Sequence, residues 1–169
     1  KIYLDLPVIS SPMDTVTESA MVTAIYNQGG IGIIHRYNSI EEQTVSVQAA
    51  AVRETQNIGA AIGVTGDFLE RPSAVHAAGA NVLCVDVAHG HHILMKEALF
   101  ALRKFFSDDL HIMAGNVATQ QAFDDLSDWG AHSIRCNIGG GPICSTRKKT
   151  IPLKTTYAAE QPPRASPGG

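Results

Sequence analysis

The stretch Val82-Leu83-Cys84-Val85-Asp86-Val87 decides the fold class. It is apolar on both faces until a carboxylate appears near its carboxyl end, which is typical of a parallel strand buried between two layers. Helical apolar spacing precedes it over residues 68–78, ending at Gly79, and follows it over residues 91–106. One buried strand between two helices predicts a βαβ arrangement with parallel strands.

The same alternation extends along the chain in both directions. Further strands are predicted at 7–11, 31–34, 58–64, 110–114 and 132–136, and further helices at 17–28, 39–55 and 120–129. Six strands at a spacing of roughly 25 residues indicate either an open doubly wound sheet or a closed (β/α)₈ barrel. No Gly-x-Gly-x-x-Gly opens a helix after the first strand, so the pattern favours an α/β TIM barrel with about six of its eight βα units present.

Composition excludes several classes of protein. Hydrophobic side chains make up 44% of the 169 residues and charged ones 17%, which predicts a folded globular domain. The net charge of -3 argues against a nucleic-acid partner, and the short apolar runs argue against a membrane partner. The three cysteines lack Cys-x-x-Cys spacing and the amino terminus lacks a signal-peptide pattern, so we expect a reducing, cytoplasmic location.

The last segment of the chain differs in composition from the rest. Residues 148–169 contain four of the eight prolines and follow neither the helical nor the strand period. We therefore expect a partial TIM-barrel catalytic domain over residues 1–147, followed by a Pro- and Gly-rich, extended or disordered tail over residues 148–169.

Polar residues follow the carboxyl ends of the predicted strands, where parallel α/β domains place their chemistry. The segment 138–147 is the most informative, because three consecutive glycines precede Cys144. Such a loop lets N–H groups bind an anion or carbonyls surround a cation, and a cysteine behind it suits a reactive thiolate. From these residues alone, a flexible turn followed by an inert cysteine is the alternative interpretation.

Several ordered motifs between residue 5 and Arg147 together resemble the IMP dehydrogenase and GMP reductase family. They are Ser10-Ser11-Pro12-Met13-Asp14-Thr15-Val16-Thr17-Glu18, Gly29-Gly30-Ile31-Gly32-Ile33-Ile34-His35, Gly59-Ala60-Ala61-Ile62-Gly63, Val85-Asp86-Val87-Ala88-His89-Gly90-His91, Ala114-Gly115-Asn116-Val117-Ala118-Thr119 and Cys144-Ser145-Thr146-Arg147. The resemblance implies a barrel that oxidises IMP to XMP with NAD, through a thioimidate between a cysteine and C2 of the purine. GMP reductase, which deaminates GMP to IMP with NADPH, is the alternative within the family.

The resemblance also implies roles for single residues. Cys144 matches the nucleophile, and Thr146 matches a threonine that assists proton transfer. For binding it implies Asp86 and Asn116 at the cofactor, Ser11, Met13 and Gly141 at the purine nucleoside monophosphate, and the carbonyls of Gly139, Gly141 and Cys144 around a potassium ion. A homo-oligomer is expected where the barrel is complete.

Some features depart from the family's pattern. Pro142 stands where the family has a serine that contacts the substrate phosphate, and Asn137 replaces a usual glycine. The Gly-Val-Gly continuation and the last two strands are not found after Thr150. We therefore expect slow turnover or none from this chain alone. A non-catalytic nucleotide-binding remnant and a different phosphate-binding barrel, which needs no reactive cysteine, are further alternatives.

Other conspicuous side chains are expected to be structural. Cys84 and Cys136 lie within apolar strands and are predicted to pack in the core. Arg71, beside Glu70, is predicted to be a solvated surface charge. The histidines at 89, 91 and 92 are predicted to end a strand and begin a helix, because no acidic or cysteine ligand has suitable local spacing for a metal.

Overall fold

The computed structural model describes residues 2–53, 55–106 and 110–136. Five strands alternate with five helices along these ranges. The strands are β1 (Gly32–Ile34), β2 (Ile58–Ile62), β3 (Val82–Asp86), β4 (His111–Val117) and β5 (Ser133–Cys136), and the helices are α1 (Ser19–Asn27), α2 (Ile40–Ala51), α3 (Glu70–Ala77), α4 (Ile93–Phe106) and α5 (Gln120–Asp128).

The strands form one parallel sheet in the order β1-β2-β3-β4-β5. A doubly wound sheet reverses its strand order at a switch point, whereas a barrel wall adds each strand beside the previous one. All five helices contribute to a single apolar cluster on one face of this sheet. The α/β fold class is therefore confirmed, and the arrangement matches part of a TIM-barrel wall.

The two faces of the sheet carry two different apolar clusters. The helix-facing side holds the larger cluster, in which side chains such as Ile62, Leu83 and Ile112 pack against the helices. The opposite side, which would be the inside of a barrel, holds a smaller cluster that includes Ile33, Cys84 and Met113. The alternation of side chains along each strand assigns neighbouring residues to opposite faces, so Asp86 shares the inner face with Cys84.

The first predicted strand is only partly present. Instead of a strand over residues 7–11, the structure has one parallel bridge between Ile9 and Ile31. Beyond this bridge the Ser10 hydroxyl, rather than main chain, accepts from the Ile33 N–H at 3.1 Å. The prediction of a full strand is therefore wrong, because the Ser10 side chain, and not the main chain, bonds the Ile33 N–H where a strand would continue its main-chain ladder.

Helix ends follow local capping chemistry. Ser39 and Glu42 form the capping box that their spacing predicts at the start of α2. In contrast, α4 begins at Ile93 rather than at His91, since His92 Nδ1 accepts from the Leu94 N–H at 3.2 Å. Within the described ranges, no helix combines the length and apolar character needed to cross a membrane.

Candidate active site

The carboxyl ends of the parallel strands form one edge of the sheet, and several polar residues lie along it. Asp86 is the last residue of β3, Asn116 lies one residue before the end of β4, and Arg135 lies one residue before the end of β5. His35 and Arg36 follow directly after β1. The sheet therefore brings residues that are far apart in sequence to one edge, where the predicted cofactor residues Asp86 and Asn116 both lie.

The central contact at this edge is an ion pair between Asp86 and Arg135. Asp86 Oδ1 accepts from Arg135 Nη1, and the same nitrogen lies 3.5 Å from Cys84 Sγ. The Asp86 side chain is 18% exposed and that of Arg135 is 25% exposed, so a ligand can still reach the pair. A carboxylate offers about four acceptor positions, so pairing with Arg135 leaves acceptor capacity on Asp86.

The path of Arg135 explains a glycine in the neighbouring strand. A Cβ added at Gly115 would lie 2.7 Å from Arg135 Cβ and 2.8 Å from its carbonyl oxygen. A side chain at position 115 would therefore displace Arg135 from β4. Sequence reasoning missed Arg135, although a charged residue in a mostly apolar strand beside a predicted carboxylate is a signal for an inward-facing ion pair.

Main-chain hydrogen bonds join Asn116 to the loop that follows Asp86. The N–H of Asn116 donates to the Val87 carbonyl at 3.0 Å, and the Asn116 carbonyl accepts from the Gly90 N–H at 2.8 Å. The ladder between β4 and β5 is irregular between Gly115 and Val117, which places this bulge beside the site. The two residues predicted at the cofactor thus share one connected segment.

The residues predicted at the substrate, Ser11 and Met13, lie in a compact turn after the Ile9 bridge. The Ser11 carbonyl accepts from the Thr17 hydroxyl at 2.6 Å and from the Met13 N–H at 2.8 Å. The Met13 side chain is 56% exposed, which leaves it available to a ligand. The remaining predicted site residues, Cys144, Thr146, Gly139 and Gly141, lie outside the described residues.

A buried amide fastens the ends of β1 and β2 to each other. Gln43, fully buried on α2, donates from Nε2 to the carbonyls of His35 at 3.0 Å and Ala61 at 2.9 Å. The last residues that pair β1 with β2 are Ile34 and Ala60. The amide therefore bonds the carbonyls of the next residue in each strand direction, His35 and Ala61, where the pairing between β1 and β2 has ended. This residue too escaped sequence reasoning, since glutamine in an amphipathic helix is ordinarily interpreted as solvent-facing.

The Gln43 amide is in turn held by Arg71. Arg71 Nη1 donates to Gln43 Oε1 at 3.0 Å, Nη2 donates to the Asn38 carbonyl at 3.0 Å, and Nε pairs with Asp67 at 2.6 Å. Arg71 is 7% exposed. The prediction of a solvated surface charge is therefore wrong, because three acceptors from separate segments enclose the guanidinium and replace its water.

An acidic cleft of about 580 Å³ lies beside the start of α2, and none of the predicted site residues lines it. Its buried member is His35, whose Nδ1 accepts from the Tyr37 N–H at 3.2 Å. In the neutral ring the proton is therefore on Nε2, which lies 3.8 Å from a carboxylate oxygen of Asp14 and of Glu18. This histidine joins the turn after Ile9 to the end of β1.

The two described cysteines have opposite environments. Cys84 is fully buried on the inner face, and burial raises the pKa of its thiol from 9.0 to about 11. Cys136 is exposed, so the prediction that it packs in the core is wrong. The two cysteines also differ in strand position, since Cys84 lies in the central strand β3 and Cys136 is the last residue of β5, which pairs with β4.

Among the histidines after β3, His91 contacts helix α5 at the surface. His91 Nε2 lies 2.7 Å from Asp125 Oδ2, and its ring stacks on Trp129. These contacts tie the loop before α4 to α5. Across the ranges that the structure describes, no group of three or more His, Cys, Asp or Glu side chains is placed to hold a metal ion.

Comparison with known proteins agrees with this geometry. The family profile described as "IMP dehydrogenase / GMP reductase domain" matches residues 1–152, a range that includes all the motifs between Ser10 and Arg147. The chain belongs to this family. The alternative of an unrelated phosphate-binding barrel is therefore wrong, and the family's two activities are the ones to be weighed.

Relatives with both activities are similar to this chain. The inosine-5'-monophosphate dehydrogenase of Borreliella burgdorferi is 30% identical over 195 aligned positions, covering 86% of this chain and 48% of that protein. That of Nitrosopumilus maritimus is 44% identical, covering 53% of this chain and 19% of that protein. The GMP reductase of Leishmania major is 45% identical, covering 53% of this chain and 18% of that protein. The chain thus spans about half or less of these relatives.

Proposed function

We propose that this chain carries the purine-nucleotide-binding part of an oxidoreductase that converts IMP to XMP with NAD, a step of GMP biosynthesis. The observation that carries the proposal is the position of Asp86, a partly exposed carboxylate held at the carboxyl end of an inner-face strand. In parallel α/β barrels this edge is where substrates and cofactors bind. The family match over residues 1–152 supports the assignment of that edge to purine nucleotides.

The described residues fit a nicotinamide nucleotide. Asp86 retains acceptor capacity for ribose hydroxyls after pairing with Arg135, and Asn116 lies on the segment bonded to the following loop. The nicotinamide nucleotide would supply the hydride acceptor, or the hydride donor in a reductase. The protein would orient it through Asp86, whose side chain Arg135 fixes in one direction.

We assign the nucleophile to Cys144 and the proton-transferring hydroxyl to Thr146. The other cysteines support this choice. Cys84 is buried with a thiol pKa of about 11, so at neutral pH it is protonated and unreactive. Cys136 is exposed, but it precedes the three glycines, whereas the family's motif places the nucleophile after them. A thiolate at Cys144 would add to C2 of the purine, and loss of hydride from C2 to the nicotinamide would convert this adduct to a thioimidate. Attack of water on the thioimidate would then release XMP and return the Cys144 thiol.

Further parts of the proposal concern the loop and the assembly. The carbonyls of Gly139, Gly141 and Cys144 would hold a potassium ion, and Ser11, Met13 and Gly141 would contact the substrate. Residues 1–147 would form the catalytic unit and residues 148–169 a separate tail. A homo-oligomer in the cytoplasm is the assembly and location that we propose for the complete barrel.

GMP reductase is the second candidate, because a relative with this activity matches the chain as well as a dehydrogenase does and one segment of the sequence resembles the reductases. The GMP reductase of Leishmania major is as similar over its matched region, at 45% identity, as the dehydrogenase of Nitrosopumilus maritimus at 44%. The segment Arg147-Lys148-Lys149-Thr150 also resembles the residues after the cysteine in many reductases. In this case the cofactor would be NADPH and the products IMP and ammonia.

The test is protection of a single thiol by nucleotide. The full chain is treated with a thiol reagent, and labelled peptides are mapped by mass spectrometry with and without IMP or GMP. We expect a nucleotide to slow labelling of Cys144 while labelling of Cys136, the internal control, is unchanged. Equal labelling of Cys144 in the presence and absence of both nucleotides would refute the proposed function.

The two activities are separated by following the cofactor. NADH formed from IMP and NAD, and lost in Cys144→Ala but not in Cys136→Ala, would establish the dehydrogenase and would overturn the expectation that this chain turns over slowly or not at all. NADPH consumed with GMP would establish the reductase instead. Nucleotide protection without turnover of either pair would support the non-catalytic remnant.

A further inference from the structure

Three contacts fix the guanidinium of Arg36 over the carboxyl ends of β2 and β3. Arg36 Nη2 donates to the Asp86 carbonyl at 3.2 Å. A Cβ added at Gly63 would lie 3.4 Å from Arg36 Nη1, which is ordinary van der Waals contact, so the guanidinium lies directly beside the residue that follows β2. The Tyr37 ring lies 5.7 Å from Arg36 Cζ. The side chain is therefore positioned across three strands at the candidate site.

The Arg36 guanidinium is partly buried, but not all of its N–H groups have hydrogen-bond acceptors among the described residues. Arg36 Nε is enclosed and has no hydrogen-bond acceptor among the described residues. The hydrogen bond from Nη2 goes to a neutral carbonyl, and no carboxylate in the ranges the structure describes pairs with the charge. The other two arginines packed within the fold differ, because Arg71 pairs with Asp67 and Arg135 pairs with Asp86. Arg36 is thus the arginine at this edge that has no carboxylate partner among the described residues.

A partly buried cation without a counter-charge is unfavourable, and a bound anion would remove that cost. The planar fork of a guanidinium matches two oxygens of a phosphate, and proteins use it widely for that purpose. Arg36 contacts the carbonyl of the residue whose carboxylate we assign to the cofactor. We propose that Arg36 binds a phosphate group of a nucleotide at the mouth of the site. This inference rests on the proposed function and adds a residue to it.

Two sources can supply this phosphate. The substrate carries a monophosphate, and the cofactor carries a diphosphate near the ribose that Asp86 would hold. Both present the same oxyanion to Arg36, so the chemistry of recognition is shared. Pairs of ligands that differ only in phosphate distinguish them: IMP against inosine, and nicotinamide mononucleotide against nicotinamide riboside.

The experiment measures equilibrium binding of these four ligands to the full chain by calorimetry. Arg36→Gln removes the charge and the fork, while Arg36→Lys keeps the charge alone. The matched control is Arg53→Gln, because Arg53 is exposed and follows α2 away from the strand ends. We expect Arg36→Gln to weaken one phosphorylated ligand by about 10- to 100-fold, the range of a hydrogen bond to a charged group. Inosine and nicotinamide riboside should bind all variants alike, and Arg36→Lys should lose less than Arg36→Gln.

Loss confined to IMP assigns Arg36 to the substrate phosphate, and loss confined to nicotinamide mononucleotide assigns it to the cofactor. If Arg36→Gln and Arg53→Gln bind every ligand equally, the inference is overturned while the proposed function stands. Equal weakening of IMP and inosine by Arg36→Gln also overturns it, since the effect would not depend on phosphate. If the parent chain binds none of the nucleotides, the proposed function and this inference fail together. If the unfolding curve shows that Arg36→Gln does not fold, Arg36→Lys is compared with the parent chain instead. If the Arg36→Lys variant then binds every ligand as tightly as the parent chain does, the inference is overturned.

Discussion

Replacement of Gln43 by leucine tests the reasoning about the strand ends most directly. The substitution keeps a side chain of similar volume but removes two donated bonds, to the carbonyls of His35 and Ala61, and one bond accepted from Arg71. Each neutral bond contributes about 1 kcal/mol and a bond to a charged group about 1.5–3 kcal/mol, with a further penalty where the abandoned partners stay buried. The added apolar burial of leucine offsets roughly 1 kcal/mol. We therefore expect Gln43→Leu to lower the free energy of unfolding by about 3 kcal/mol.

Urea denaturation followed by circular dichroism measures this loss. With a denaturant dependence of about 2 kcal/mol per molar, the midpoint should fall by about 1.5 M while the slope stays constant. Gln48→Leu is the matched control, because Gln48 is exposed on the same helix and should change stability by less than about 0.5 kcal/mol. Gln43→Glu keeps an acceptor for Arg71 but faces two carbonyl oxygens, so it should also be destabilised. A Gln43→Leu midpoint that matches that of Gln48→Leu would show that the amide does not fasten the strand ends.

Three further predictions concern other parts of the structure. Mass-mapped labelling with iodoacetamide at pH 8 should modify Cys136 and leave Cys84 intact, because burial raises the pKa of Cys84 to about 11; equal labelling of the two would contradict this environment. Burial and the neighbouring His132 lower the pKa of His111 below its usual 6.5, so the unfolded chain binds more protons there. Stability should therefore fall as pH drops below about 6.5, and His111→Gln should flatten that dependence in denaturation curves; an unchanged slope would count against it. Ser39→Ala removes the cap of α2 and should cost about 1 kcal/mol in the same assay, and a loss below the error of measurement would refute the role of the capping box.

The fold could be predicted from the sequence because its signals are local. Apolar runs such as 82–86 locate buried parallel strands, and the spacing of Ser39 and Glu42 locates the start of a helix. The strand over 7–11 could not be predicted correctly, because its pairing is continued by the hydroxyl of Ser10 rather than by main chain. Whether a segment forms a complete hydrogen-bond ladder depends on how it lies against the neighbouring strand. The local residue pattern of the segment does not contain this information.

The candidate site could be located but not assembled from the sequence. The placement of Asp86 at a strand end follows from the rule that parallel strands present their carboxyl ends together. Its partners do not follow, because Arg36 and Arg135 lie 50 and 49 residues away along the chain. Arg71 was misjudged for the same reason, since the acceptors that bury it include Asn38 and Gln43, from about 30 residues earlier.

Two arginines contact Asp86 from opposite sides, and their charges bear on the ligand that we propose for this strand end. Arg135 holds the carboxylate from β5, while Arg36 holds the carbonyl from the end of β1. The Asp86 carboxylate neutralises one of the two guanidinium groups. Asp86, Arg36 and Arg135 together therefore carry a net positive charge, although the net charge of the whole chain is -3. A ligand that joins hydroxyl donors to an oxyanion would satisfy both partners at once, with the hydroxyls on Asp86 and the oxyanion on Arg36. A ribose phosphate has this combination, whereas a nucleobase or a nucleoside lacks the oxyanion, so the proposed role of Arg36 predicts tighter binding of nucleotides than of their unphosphorylated forms.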